Sequence, residues 1–165
     1  MKITLKNVNY SDFASEETYC FEATVYIDDK RSFRVANSGQ GGANRYYSFS
    51  SETEMYVYRQ VEDINKELNK QTITTDSGID FPNCLDYVIS MQMHNWILRK
   101  QAKKLLKKVC IVTAKNHLLS FNIPHKTFLS DREKMLNHIE LKHPSSTVLN
   151  ALPSDEAFKI MKPLL

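Results

Sequence analysis

Apolar and polar positions alternate along residues 2–8, where Ile3, Leu5 and Val8 mark one side of a predicted strand. Residues 18–27 repeat the two-residue period through Phe21, Ala23, Val25 and Ile27, and residues 31–37 repeat it at Phe33 and Val35. Asp28, Asp29 and Lys30 stand between those two runs, and a short polar turn between alternating runs predicts a hairpin. The chain is thus expected to open as a three-stranded antiparallel meander. A glycine-rich stretch, NSGQGGANRYY at residues 37–47, leaves its third strand. The period then lengthens. Ser51 and Glu54 have capping-box spacing, and Met55, Tyr58, Val61, Ile64 and Leu68 recur at three- and four-residue steps, predicting a helix. Residues 69–83 are polar, carry Gly78 and Pro82, and read as a surface connection.

A second helical pattern runs from about Leu85 to about Lys108 and contains a conflict. At about 100° per residue, Leu85, Ile89, Met93 and Trp96 share one face, whereas Leu98, Ala102, Leu105 and Val109 share nearly the opposite one. Either the helix breaks near Ile97 or it buries a different face in each half. Neither Gly nor Pro interrupts it, which favours a continuous helix. Residues 109–113 and 118–123 are short apolar runs flanking residues 114–117. They suggest a second hairpin, with extension of the helix as the alternative. Ser130 with Glu133 repeats the capping-box spacing; Met135, Leu136 and Ile139 follow, and Pro144 ends that helix. A last short helix starts after Ser154, buries Phe158, Ile160 and Met161, and stops before Pro163. The expected fold class is α+β, with residues 1–165 as one domain.

Composition narrows the class. A chain of 165 residues, 42% hydrophobic and 25% charged, is ordinary globular material. Its longest apolar run falls far short of the roughly 18–20 residues that span a bilayer, and residues 1–10 lack the apolar centre of a signal peptide. No membrane association and a cytoplasmic location are therefore expected. Cys20, Cys84 and Cys110 are odd in number, far apart and set beside apolar residues, which reads as reduced, mostly buried thiols.

Chemistry is harder to place. Gly39, Gly41 and Gly42 give G-x-G-G, which matches neither the dinucleotide fingerprint nor a P-loop in order or context. The glycines serve as a tight reversal, with Asn37 and Gln40 as local backbone partners, or the loop is an interaction surface. For the second reading Asn37, Gln40, Asn44, Arg45, Tyr46 and Tyr47 supply donors, a charge and flat rings. A small-ligand or nucleotide site at the same loop is the third reading. Glu16 and Glu17 are neighbours on an extended chain and point to opposite faces, so they form no catalytic pair. His138 and His143 are five apart, not the four that align a metal pair on a helix. A thiol nucleophile would need Cys20 or Cys110 beside a histidine such as His117 or His125, and nothing in the spacing points to that pairing. No catalytic residue, metal or cofactor is expected.

Charge is concentrated in one place. Residues 99–108, RKQAKKLLKK, hold basic residues and no acid. On a helix Arg99, Lys100, Lys103, Lys104 and Lys107 cover one broad face opposite Leu98, Ala102 and Leu105. That face is either simply solvated or contacts phosphates or an acidic protein surface. No zinc spacing, RNA-binding signature or helix-turn-helix accompanies it.

Residues 13–30, FASEETYCFEATVYIDDK, followed by N-x-G-x-G-G at residues 37–42, resemble an uncharacterised family of small proteins from bacteriophages and bacterial mobile elements. Residues 148–161, VLNALPSDEAFKIM, are similar to that family's usual ending. The resemblance supplies no catalytic residues. It implies an accessory protein that binds, and typically inhibits, a host protein or nucleoprotein complex, often of a defence system. Direct nucleic-acid binding is the alternative partner class, and the oligomeric state is left open.

Overall fold

Asp28 and Asp29 both adopt positive φ, 47° and 63°, the geometry of a two-residue turn whose twist matches the strands it joins. The turn closes the expected hairpin: β2 (Cys20–Ile27) and β3 (Lys30–Ser38) pair antiparallel, with Ile27 opposite Lys30. β1 (Ile3–Ser11) pairs antiparallel with β2. The computed structural model describes residues 1–50, 54–74 and 77–165. In it the meander has a fourth strand. β4 (Arg45–Tyr47) lies antiparallel along β3, with Tyr46 opposite Val35, in the order β1-β2-β3-β4. The expectation of three strands is corrected accordingly. Three residues are too few for a two-residue period to register in sequence.

Length led to the expectation of one domain; by packing, the chain divides into two compact units, Met1–His94 and Asn95–Leu165. In the first, one sheet face contributes Phe21, Ala23, Val25, Phe33, Val35 and Tyr46 to a core closed by two helices. α1 (Glu54–Leu68) buries Val57, Val61, Ile64 and Leu68. This stripe differs from the predicted one, because Met55 and Tyr58 are exposed; at about 100° per residue Met55 falls nearly opposite it. Ser51 of the expected capping box lies outside the described residues. The polar connection folds into a small hairpin of β5 (Thr72–Thr74) and β6 (Asp80–Pro82).

α2 (Leu85–Leu105) is unbroken near Ile97 and contributes to both cores. Leu85, Ile89 and Met93 are fully buried in the first, and Leu98 and Ala102 are buried in the second. The two apolar faces read from sequence thus serve two separate interiors. At its start the Leu85 N–H donates to Asn65 Oδ1 at 2.7 Å, satisfying one of the unpaired donors of the helix end.

The second unit is built on β7 (Lys108–Val112), paired with β8 (Leu118–Pro124) and β9 (Thr147–Val148) in the order β8-β7-β9. Residues 109–123 are a hairpin, not an extension of the helix. β7 is buried on both sides, and strand alternation divides its residues between two clusters. Cys110 and Val112 pack with Leu98, Ala102, Leu149 and Phe158, while Val109 and Ile111 pack with Phe128 and Ile139. α3 (His125–Ser130) and α4 (Arg132–Lys142) follow β8, and α5 (Ser154–Met161) buries Ala157, Phe158 and Met161. Ser130 does not cap α4. Asp131 holds that position, and the Ser130 hydroxyl donates to the Thr127 carbonyl at 2.9 Å.

Candidate functional site

The glycine loop is closed on itself by side chains. Asn37 Oδ1 accepts from the Gly39 N–H at 2.9 Å and from the Thr18 hydroxyl at 2.7 Å. Its Nδ2 donates to the Gly42 carbonyl and to Asn44 Oδ1, both at 3.2 Å. The Gly39 carbonyl gathers the N–H groups of Glu16, Glu17 and Thr18 at 2.9, 2.9 and 3.2 Å. Gly39 is buried, with φ +86°, and a Cβ there would lie 2.0 Å from the Ala14 carbonyl oxygen. The loop is therefore a crossing point of two chain segments. The cavity beside it holds about 170 Å³ and is lined by Thr18, Tyr19, Asn37, Asn44, Asp86 and Ser90 among others. That is below the roughly 300 Å³ at which ligand pockets begin, and most of its polar atoms already bond one another.

Four of the six residues predicted for this surface are placed on or beside the loop, and two need correction. Asn37 and Asn44 are structural ties, with the Asn44 amide donating to Asp86 Oδ1 at 2.6 Å. Gln40 and Arg45 are exposed. Tyr46, expected on an exposed loop, is buried in β4 against Phe33, and its hydroxyl donates to the same Asp86 oxygen at 2.5 Å. Tyr47 is half-buried, with the Arg34 guanidinium 5.7 Å from its ring. Burial first, and then the bond to Asp86, hold the Tyr46 phenol far above its ordinary pKa. A raised folded value means that this proton's stabilisation is complete below about pH 10, the unfolded value, and is lost progressively above it.

Tyr46→Phe is accordingly expected to lower stability by about 1.5–3 kcal/mol, the scale of a lost hydrogen bond to a charged group. Arg45→Ala should change it by no more than about 0.5 kcal/mol, as befits an exposed side chain. Urea denaturation of both variants checks this, and equal midpoints would contradict the burial of the Tyr46 hydroxyl.

The basic segment behaves differently. α2 ends at Leu105, so Lys107 sits in the following turn rather than on the helix. Lys100, Lys103, Lys104 and Lys107 are all exposed, and among the described residues none of them forms an ion pair. Lys100 Nζ lies 4.5 Å from the Trp96 ring centroid, which holds one ammonium at a fixed place. Arg99 is a correction to the predicted face. It bonds Asp155 at 2.9 Å and lies 4.4 Å over the Phe158 ring, tying α2 to α5.

The division into units exposes a signal that the overall charge of +3 conceals. Asn95–Leu165 contains 13 Lys and Arg against 5 Asp and Glu, a net +8. Met1–His94 contains 9 against 14, a net −5. Counting charge by unit would have found this from sequence, had the boundary inside a continuous helix been visible.

Neither thiol singled out as a nucleophile has an imidazole hydrogen-bonded to it among the described residues. Cys110 is buried with its thiol donating to the Leu105 carbonyl at 3.2 Å, and burial pushes its pKa up. All three cysteines are free thiols, as expected, with Cys20 and Cys84 partly buried and Cys110 fully so. In native protein at neutral pH, a thiol reagent is expected to modify Cys20 and Cys84 well before Cys110, which reacts only with denaturant. Mass spectrometry of the labelled chain reads the order, and native labelling of Cys110 as fast as the others would contradict its burial. Among the described residues no group of three His, Cys, Asp or Glu side chains is placed to hold a metal ion. No helix among them is long and apolar enough to cross a membrane.

Comparison with family models, with curated proteins and with solved structures finds no match.

Proposed function

We propose that this chain binds the phosphate backbone of nucleic acid through Lys100, Lys103, Lys104 and Lys107 of its second unit, as an accessory protein acting on a nucleoprotein complex. One observation carries the reading: four exposed lysines that form no ion pair among the described residues, in a unit of net +8. Clustered ammonium groups displace the counterions condensed on a polyanion, and that release drives binding with little dependence on base sequence. Lysine suits this role because it is a flexible point charge, without the planar fork that guanidinium uses for base edges. The similarity to small phage and mobile-element proteins supports an accessory role on a host complex and does not identify it.

The test is recovery of tagged protein from bacterial lysate, with and without nuclease, beside direct titration with a labelled oligonucleotide. Binding to the oligonucleotide and nuclease-sensitive recovery of partners are the expected results. Absence of oligonucleotide binding at low salt would overturn the reading.

A second reading, docking of a host protein on the first unit, is favoured by Phe13. Its side chain is 99% exposed in the segment whose neighbour Ala14 packs on Gly39, and sequence reading passed over it. A partner retained after nuclease, and lost in Phe13→Ala, would select that reading instead.

A further inference from the structure

Within the second unit, Lys103 and Lys107 border a cleft of about 520 Å³ whose other lining residues include His125, Asn150, Leu152 and Ser154. Its size falls in the range of pockets that enclose a small organic ligand. The polar groups are not equivalent. Asn150 is tied to the backbone: Oδ1 accepts from the Cys110 N–H at 2.7 Å, and Nδ2 donates to the Leu106 and Lys108 carbonyls at 3.0 Å each. It fixes the shape of the cleft wall, and both of its N–H groups are committed there.

His125 is the reverse. Its backbone N–H is anchored to the Lys107 carbonyl at 2.8 Å, and its ring lies against Phe128. Yet its Nε2 is buried and, among the described residues, has no hydrogen-bond partner. A buried ring nitrogen left without a partner is costly, and a turn of the ring that brings it to an acceptor in the cleft would remove that cost. Two ammonium groups bordering one cleft supply more positive charge than a phosphodiester, with its single negative charge, requires. They suit a phosphomonoester, which carries close to two. The two acids of the first turn of α5 do not line the cleft: Asp155 is bonded to Arg99, and Ser154 and Ala157, not Asp155 or Glu156, are the α5 residues on its wall. Leu106, Leu149, Leu152 and Ala157 give the remaining wall an apolar character, suited to a sugar and base.

We infer that this cleft receives a nucleoside phosphomonoester, its phosphate between Lys103, Lys107 and His125 and its nucleoside against the leucines. The inference rests on the proposed reading of the neighbouring lysines as phosphate contacts, and adds to it a preference for phosphorylated ends. The same chemistry is offered by the end of a strand and by a free mononucleotide.

The test uses the full chain and one short single strand in three forms, with a 5′-phosphate, a 3′-phosphate or hydroxyl ends, together with adenosine 5′-monophosphate alone in calorimetry. One phosphorylated form is expected to bind about tenfold or more tightly than the hydroxyl-ended strand, a difference of about 1.4 kcal/mol, with the mononucleotide competing away that advantage. Mononucleotide binding without any end preference would assign the cleft to the free ligand. Equal affinity for all three strands with no calorimetric signal would overturn the inference and leave backbone binding standing. Loss of all strand binding would overturn backbone binding, while the calorimetry still decides the cleft. His125→Gln and, at the exposed rim, Ser154→Tyr should each abolish the end preference or the mononucleotide signal. Should His125→Gln unfold the chain, Ser154→Tyr decides alone, and its retention of full mononucleotide and end recognition would count against the site.

Discussion

Reversing Lys100, Lys103, Lys104 and Lys107 to glutamate is expected to abolish oligonucleotide binding at low salt while leaving the thermal midpoint nearly unchanged. Each reversal removes two units of charge, so the second unit goes from +8 to neutral. Binding should disappear entirely, because four attractive contacts become four repulsive ones at the surface that meets the phosphates. Stability should hold because the four side chains are exposed and, among the described residues, have no ion pair to lose; such surface changes usually stay within about 0.5 kcal/mol each. Relief of repulsion among like charges acts in the stabilising direction. Circular dichroism on heating, beside the binding assay, separates loss of the surface from loss of the fold. Retained binding would place the contact elsewhere on the molecule.

Gly39→Ala is expected to be the most damaging alanine substitution among the glycines of the first unit. Alanine there must take up a left-handed backbone, at φ +86°, which costs about 1–2 kcal/mol. Its Cβ would also sit 2.0 Å from the Ala14 carbonyl oxygen and 2.8 Å from Cys20 Cβ. Both are parts of the fold rather than ends of flexible side chains. Overpacking of that kind adds about 1–3 kcal/mol. Gly42→Ala makes the comparison, because its φ is +85° and nothing lies within 4 Å of the added methyl. Only the backbone cost applies there. Urea denaturation should show Gly39→Ala clearly the less stable of the two. Equal losses would mean that the approach of the Ala14 segment is not what requires a glycine at residue 39.

Much of the fold was legible where a period ran long enough. Strands β2 and β3, the hairpin of β7 and β8, and the unbroken α2 follow from alternation, turn residues and the absence of Gly or Pro. The contradictory faces of α2 have their cause in the division of the chain into two units. Leu85, Ile89 and Met93 on one side and Leu98 and Ala102 on the other belong to separate cores. A core is defined by what packs on it, and one helix cannot display that alone.

The misplacements have physical causes. Tyr46 sits in a three-residue strand, and its burial comes from pairing with β3 and from Asp86, forty residues away. The buried stripe of α1 is Val57, Val61, Ile64 and Leu68, and Met55 and Tyr58 lie off that face and are exposed. Arg99 reads as one more cation until Asp155 and Phe158 are brought beside it. The cleft of His125 joins residues 103 to 157, and no local spacing announces it. Lys100, Lys103, Lys104 and Lys107 were legible because exposed charge needs no partner to be recognised.

The most direct test of the central claim is the salt dependence of oligonucleotide affinity, measured by anisotropy for the wild-type chain between about 50 and 200 mM salt. Release of about 0.7–0.9 counterions per phosphate contact, over four lysines, gives a log–log slope near −3. Affinity should therefore fall by roughly 50- to 150-fold across that range. A flat response, with affinity unchanged by salt, would show that these lysines do not meet phosphates and that their face is only solvated.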